Sequence, residues 1–235
     1  MKVGLLECDH VRDELRHIAG DYREMFPTLF HQVAPDWTFE FFDVVNGDFP
    51  ESVDACDIYI CTGSKSSVYD EDEWISRLKE FIVEIYQSRK IFIGVCFGHQ
   101  MLGEALGGKV RKSDIGWCVG VHRFKVTSQK AWMEPFVDHF NLLMMCQDQV
   151  IDLPADADLL AETADCPNAM FRIGNYMLGI QAHPEFSKPY DRALMELREE
   201  RIGASEVAVG IASLELPTQE IMFARWIKNF AESVS

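Results

Sequence analysis

Positive charge is scarce in this chain: 22 Lys and Arg stand against 38 Asp and Glu, giving a formal net charge of −16. Such a surface opposes a phosphate backbone or an anionic membrane, so neither nucleic acid nor membrane is expected as a partner. Long apolar runs are missing as well. No stretch approaches the length of a membrane span, and the opening MKVGLLECDH carries too short an apolar run for a signal peptide. The seven cysteines form no C-x-x-C pair, and their odd number without a leader suits a reducing cytoplasm, the expected location. Neither a metal nor a cofactor is expected. No internal repeat, low-complexity tract or long linker interrupts the 235 residues, whose 48% hydrophobic content fills the core of one α/β domain over 1–235.

What is present begins with alternation. Lys2 to Glu7 reads as a strand, Val11 to about Val33 as helical with a break at Pro27, Trp37 to Val45 as a second strand and Ala55 to Cys61 as a third, ending at Thr62-Gly63-Ser64. The next helix is capped by Asp70, with Glu71, Asp72 and Glu73 at the positive end of its dipole and Trp74, Leu78, Phe81, Ile82 and Ile85 on one apolar face. This βα alternation predicts a doubly wound, mostly parallel sheet with flanking helices. Beyond Gly108, short strands at Lys109–Lys112, Val119–Thr127, Asn141–Cys146 and Ala169–Gln181 predict a small antiparallel sheet, with Gly174-Asn175 as a two-residue hairpin turn. Helices over Lys188–Arg201, whose charge reads as a solvated face, and Thr218–Ser233 close the chain.

Chemistry concentrates at Ile91 to Gly108, IFIGVCFGHQMLGEALGG. A buried strand runs into a helix from Phe97 to Leu106, and Cys96 is the hinge between them. Gly94 and Gly98 flank it as G-x-C-x-G, the thiol counterpart of the G-x-S-x-G elbow that lifts a nucleophile above a sheet edge. The helix N-terminus favours thiolate over thiol, and its first N–H groups, beginning with that of Phe97, point where an oxyanion would form. Free cysteine usually only packs, and the other six are read that way. A thiolate also needs a proton shuttle. His183 ends a strand and is followed by Pro184-Glu185, so in extended geometry His183 and Glu185 point to one side and the carboxylate can hold the imidazole.

Cys96-Phe97-Gly98-His99-Gln100 and His183-Pro184-Glu185 together resemble the class I (triad) glutamine amidotransferases, most closely stand-alone proteins similar to the glutaminase domain of GMP synthase. Leu106-Gly107-Gly108-Lys109-Val110, the run from Thr62 to Asp70, and Gln147-Asp148-Gln149-Val150 followed by Leu153-Pro154 add to the likeness, which covers about residues 40 to 190. The resemblance implies a flavodoxin-like fold. It also implies that Cys96 attacks the side-chain amide of glutamine, His183 protonates the leaving ammonia, Glu185 orients His183, and water releases glutamate from a thioester. The N–H groups of Phe97 and Ser64 would form the oxyanion hole, with Gln100 and Gly63 at the substrate. Two departures stand out: Gly63-Ser64-Lys65 replaces the family's Gly-Gly-Pro, and Met145-Cys146-Gln147 stands where relatives have Ser-His before the acidic residue.

No G-x-x-x-x-G-K-[ST] loop and no Ser-Gly-Gly-x-Asp-Ser run is present, so ammonia would pass to a separate synthetase subunit or be lost. Three readings remain at this level: a glutaminase, a γ-glutamyl peptidase or hydrolase using the same triad on a larger leaving group, and a catalytically silent binding relative.

Overall fold

The computed structural model describes residues 1–234. Eleven strands and eight α-helices follow one another from β1 (Lys2–Leu6) through α1 (Asp13–Ala19), α2 (Tyr22–Phe30), β2 (Thr38–Phe42), β3 (Ile58–Cys61), α3 (Glu73–Gln87), β4 (Ile91–Val95) and α4 (Phe97–Ala105). The second half carries β5 (Lys109–Lys112), β6 (Cys118–Val126), β7 (His139–Cys146), β8 (Asp148–Asp152), β9 (Ala157–Glu162), β10 (Met170–Ile173) and β11 (Met177–Ile180). It ends on α5 (Lys188–Leu197), α6 (Glu199–Ile202), α7 (Ala204–Ser213) and α8 (Glu220–Glu232).

Nine strands share one sheet in the order β2-β1-β3-β4-β11-β10-β9-β6-β7, and β5 pairs with β8 in a separate two-stranded sheet. The first five are mutually parallel. Their order is that of a flavodoxin-like sheet with β11 as fifth strand, whose ligands lie outside the carboxyl ends of the strands. The antiparallel strands are mostly an extension of this sheet rather than a sheet apart; only β5 and β8 stand alone.

Period-two alternation sorts the strands' side chains onto two faces. Val3, Leu5, Ile58, Ile60, Ile91 and Ile93 pack with Phe26 and Phe30 of α2 and Phe223, Trp226 and Phe230 of α8. Leu6, Tyr59, Cys61 and Phe92 pack with Leu78, Phe81 and Ile82 of α3 and Met101 and Leu102 of α4 on the other face.

Several local expectations shift. The first helical region breaks at Gly20-Asp21, not at Pro27, because Asp21 and Glu24 form a reciprocal capping box that starts α2, and Pro27 sits inside that helix. Asp72, not Asp70, precedes α3; Asp70 instead accepts from the Ser67 N–H at 2.8 Å. The β10–β11 connection has three residues, since Ile173 pairs with Met177, and positive φ falls on Gly174 but not on Asn175. The α5 region is solvated on one side only. It buries Tyr190, Asp191, Leu194 and Met195 on the other.

Candidate active site

The carboxyl ends of β1, β3, β4 and β11 lie on one edge of the sheet, and Cys96, His183, Glu185, Gly63, Ser64, Phe97 and Gln100 lie in the segments that follow them. Cys96 follows β4 at φ 52° and ψ −99°, a positive φ shared among the described non-glycine residues only by Arg89. Such a backbone is strained for a residue with a Cβ, and the surroundings hold it. Its N–H donates to the Ile180 carbonyl at 2.9 Å, and its carbonyl accepts the Gln100 N–H at 3.0 Å as the first turn of α4 forms. The flanking glycines answer a steric demand. A Cβ on Gly94 would come within 2.3 Å of the Gly98 carbonyl oxygen, and one on Gly98 within 2.5 Å of the Cys61 carbonyl oxygen.

His183 arrives from β11. Its N–H donates to the Leu143 carbonyl at 2.8 Å, tying the His-Pro-Glu turn to β7. The ring lies between partners: Nδ1 is 2.7 Å from Glu185 Oε1, and the Cys96 sulfur is close enough to act on the ring's charge. Phe186 stacks flat on the imidazole at 4.0 Å with an 8° interplanar angle. Burial pushes the imidazolium down, but the Cys96 thiolate and the Glu185 carboxylate outweigh it and raise His183 from 6.5 to about 10. Sulfur and carboxylate thus both favour the charged ring. Cys96 and the His183–Glu185 pair, far from it in sequence, are brought together.

The loop after β3 supplies the facing wall. Ser64 lines the pocket with Lys65, Ser66 and Ser67. Gly63 sits beneath it against the imidazole, where a Cβ would lie 2.7 Å from His183 Cε1. Asp9, just beyond β1, anchors the loop by accepting from the Lys65 N–H at 3.0 Å and from its ammonium at 2.8 Å. Phe97 is buried at the start of α4, against Trp74 at 5.5 Å. Gln100 lines the pocket, with its amide nitrogen 2.6 Å from the Asp148 carbonyl and 3.2 Å from Gln181 Oε1. Both its amide hydrogens are committed, so its carbonyl oxygen is what it can offer a substrate.

Sequence reasoning gave no role to several residues here. Asp148 lines the pocket, its carboxylate accepting from Ser67 Oγ at 2.6 Å and Tyr69 Oη at 3.1 Å. Met145, Cys146 and Gln147 form the wall beside it, and Trp117, Arg198 and Arg201 form the rim, with the Arg201 guanidinium 5.1 Å above the Trp117 ring. Gln181, two residues before His183, offers its amide to the Cys96 sulfur at 3.6 Å. Position i−2 on a strand ending in the shuttle histidine was the available signal for Gln181, since it shares that histidine's face. The rim arginines gave none, being indistinguishable from surface charge. His99, inside the nucleophile motif, faces away from the pocket; it is fully buried against Phe171 at 4.8 Å, and burial lowers it to about 3.

Sheet order and elbow define a doubly wound α/β protein with its site at the strands' carboxyl edge. A family model described as class-I glutamine amidotransferase matches residues 51–198. The chain belongs to that family and is a cysteine-dependent amidohydrolase. It is 28% identical over 240 residues to γ-glutamyl peptidase 3 of Arabidopsis thaliana, covering 96% of this chain and 94% of that one. Among solved structures, a glutamine amidotransferase from Thermotoga maritima matches with a TM-score of 0.75 at 20% identity, covering 98% of this chain and 96% of its own. The A subunit of a putative GMP synthase from Thermoplasma acidophilum matches at 0.65 and 16%, covering 99% and 95%. Both structural likenesses concern the fold. Among the described residues no helix is long and apolar enough to cross a membrane.

Proposed function

We propose that this chain hydrolyses the γ-glutamyl amide bond of small γ-glutamyl peptides, with glutamine as a poorer substrate of the same site. The observation that carries the reading is the rim. In a protein of net charge −16, Arg198 and Arg201 line the pocket that holds Cys96, beside Lys65, whose ammonium is paired with Asp9. Glutamine releases neutral ammonia and has no use for cations beyond its own carboxylate. A peptide leaving group brings a second carboxylate, which guanidinium groups recognise well. The name of the Arabidopsis relative agrees with this reading.

In the proposed reaction the γ-glutamyl α-ammonium meets the Asp148 carboxylate and the Gln100 carbonyl oxygen, which sets the γ-carbonyl beside Cys96. The sulfur adds to the carbonyl carbon, and the N–H groups of Phe97 and Ser64 receive the oxyanion. His183 passes its proton to the leaving amine while Glu185 holds Nδ1, leaving a γ-glutamyl thioester. Water, deprotonated by His183, then releases glutamate and restores the thiolate. Because Asp9 holds the Ser64-Lys65 loop, its N–H donor is positioned within the chain itself, and no synthetase subunit is needed to order it.

A substrate screen of the purified chain tests the proposal. Amine release from γ-glutamyl dipeptides with a free C-terminal carboxylate should exceed ammonia release from glutamine, and amidating that carboxylate should raise KM. Preference for glutamine would return the chain to the glutaminase reading, and turnover of neither would make it a silent relative.

A further inference from the structure

We infer that Gln181 is a positioning residue for the nucleophile, pointing an amide N–H at the Cys96 sulfur in an orientation dictated by Gln100 and the Asp148 backbone. The inference rests on Cys96 being the nucleophile, as proposed above. Gln181 immediately follows β11 and is fully buried. Its backbone N–H is bound to the Ala169 carbonyl at 2.9 Å, and Nε2 stands 3.6 Å from Cys96 Sγ.

The direction of the amide follows from its neighbours. A backbone carbonyl only accepts, so Gln100 must turn its NH2 group to Asp148, at 2.6 Å. The same NH2 group lies 3.2 Å from Gln181, which must present its carbonyl oxygen in return. Gln181 is left with its NH2 group toward the sulfur. Reversed, its carbonyl would face a thiolate and repel it. Two amides in series thus convert one fixed carbonyl into a donor aimed at the nucleophile, on a different bearing from His183. A hydrogen bond to an ionised atom is among the stronger ones in a protein, and in a buried site it also fixes the direction of attack.

The test uses Gln181→Met, which keeps size and loses the donor, and Gln181→Glu, which replaces the donor with an acceptor. Two quantities are read: the rate at which iodoacetamide alkylates Cys96 at neutral pH, followed by peptide mass spectrometry, and the separate kcat and KM for a γ-glutamyl dipeptide. Both alkylation and kcat should fall roughly ten- to hundredfold in Gln181→Met, and further in Gln181→Glu, with KM changing less than about threefold. A folded Gln181→Met with wild-type alkylation and kcat would overturn the inference, since a merely structural role changes melting temperature and not thiol reactivity. If Gln181→Met does not fold, Gln100→Leu decides: it removes the group that orients Gln181 without touching the sulfur. Slower alkylation supports the inference and an unchanged rate overturns it. Alkylation needs no substrate, so the substrate reading and this one fail separately. If wild-type Cys96 is not the fastest of the seven thiols to react, the nucleophile reading fails and this inference with it.

Discussion

At Cys96 three constraints meet on one side chain: a positive φ, a hydrogen bond from Gln181, and an imidazole held on its far side by Glu185. Strain of this kind costs on the order of 1–3 kcal/mol and persists because the surrounding structure over-determines it. Small displacements should therefore be expensive in rate. Gly63→Ala places a methyl 2.7 Å from His183 Cε1, so the ring must move. We expect kcat to fall roughly a hundredfold, the usual effect of an ångström of misplacement, with the fold retained by circular dichroism. His183→Ala should remove activity nearly completely, while Glu185→Gln, which keeps a hydrogen-bonding partner, should be milder. The pH profile carries a further expectation. Burial lowers His183, but the Cys96 thiolate and Glu185 raise it to about 10, so the alkaline limb of kcat/KM should lie near 10 rather than near 6.5. In Cys96→Ala the thiolate is gone, and NMR titration of the ring should give a value well below that of the wild type.

Among the elements, α5 carries the least expected feature. Asp191 is fully buried on it, and neither carboxylate oxygen has a hydrogen-bond partner. Burial raises its carboxyl from 3.8 to about 7, against the opposing pull of His183 and Arg198. The unfolded chain releases this proton near 3.8 and the folded protein keeps it to about 7. Between those values the folded state binds more protons, so Asp191 costs stability as pH rises, up to roughly 4 kcal/mol above the upper value. Asp191→Leu should accordingly raise the melting temperature, by more above pH 7 than near pH 3.8. An equal gain at both would contradict the assignment. Asp191 was hidden in the sequence because its neighbours Lys188, Arg192 and Glu196 give the segment the look of a solvated helix. Other elements were hidden for different reasons. The α7 segment ASEVAVGIAS has no clear apolar stripe and packs by closeness, with Gly210 against Met195 and Val119. The β9 segment ADLLAE is rich in helix formers and becomes a strand only because β10 and β6 pair with it. The elbow was legible for the opposite reason: a buried strand, two glycines and a short helix all demand the same turn. His183 and Glu185 were legible as a pair from their spacing of two, though a turn at Pro184-Glu185 rather than extended chain brings the carboxylate to the ring, whereas the rim arginines belong to an element whose docking no local pattern encodes.

Taken whole, the molecule sets Arg198 and Arg201 at its pocket inside an anionic surface and ties the Ser64-Lys65 loop, the proposed oxyanion loop, to its own sheet edge. The link from Asp9 to Lys65 joins the ends of β1 and β3, so the loop's position depends on the intact sheet edge. Asp9→Asn should weaken that anchor and lower kcat by up to roughly two to three orders of magnitude, the effect of losing one oxyanion donor, with little change in melting temperature. The field of the rim should also show in salt dependence. A γ-glutamyl dipeptide drawn by Arg198 and Arg201 should lose kcat/KM as ionic strength rises, more steeply than glutamine does. The proposed chemistry depends on the Cys96 sulfur as the atom that opens the γ-glutamyl amide. The most direct measurement is amine release from a γ-glutamyl dipeptide and ammonia release from glutamine, run side by side for the wild type and a folded Cys96→Ala variant. Turnover of both substrates by the wild type, with the dipeptide faster, and none by the variant is the expected result. Comparable release by Cys96→Ala, or none by the wild type on either substrate, would contradict that role.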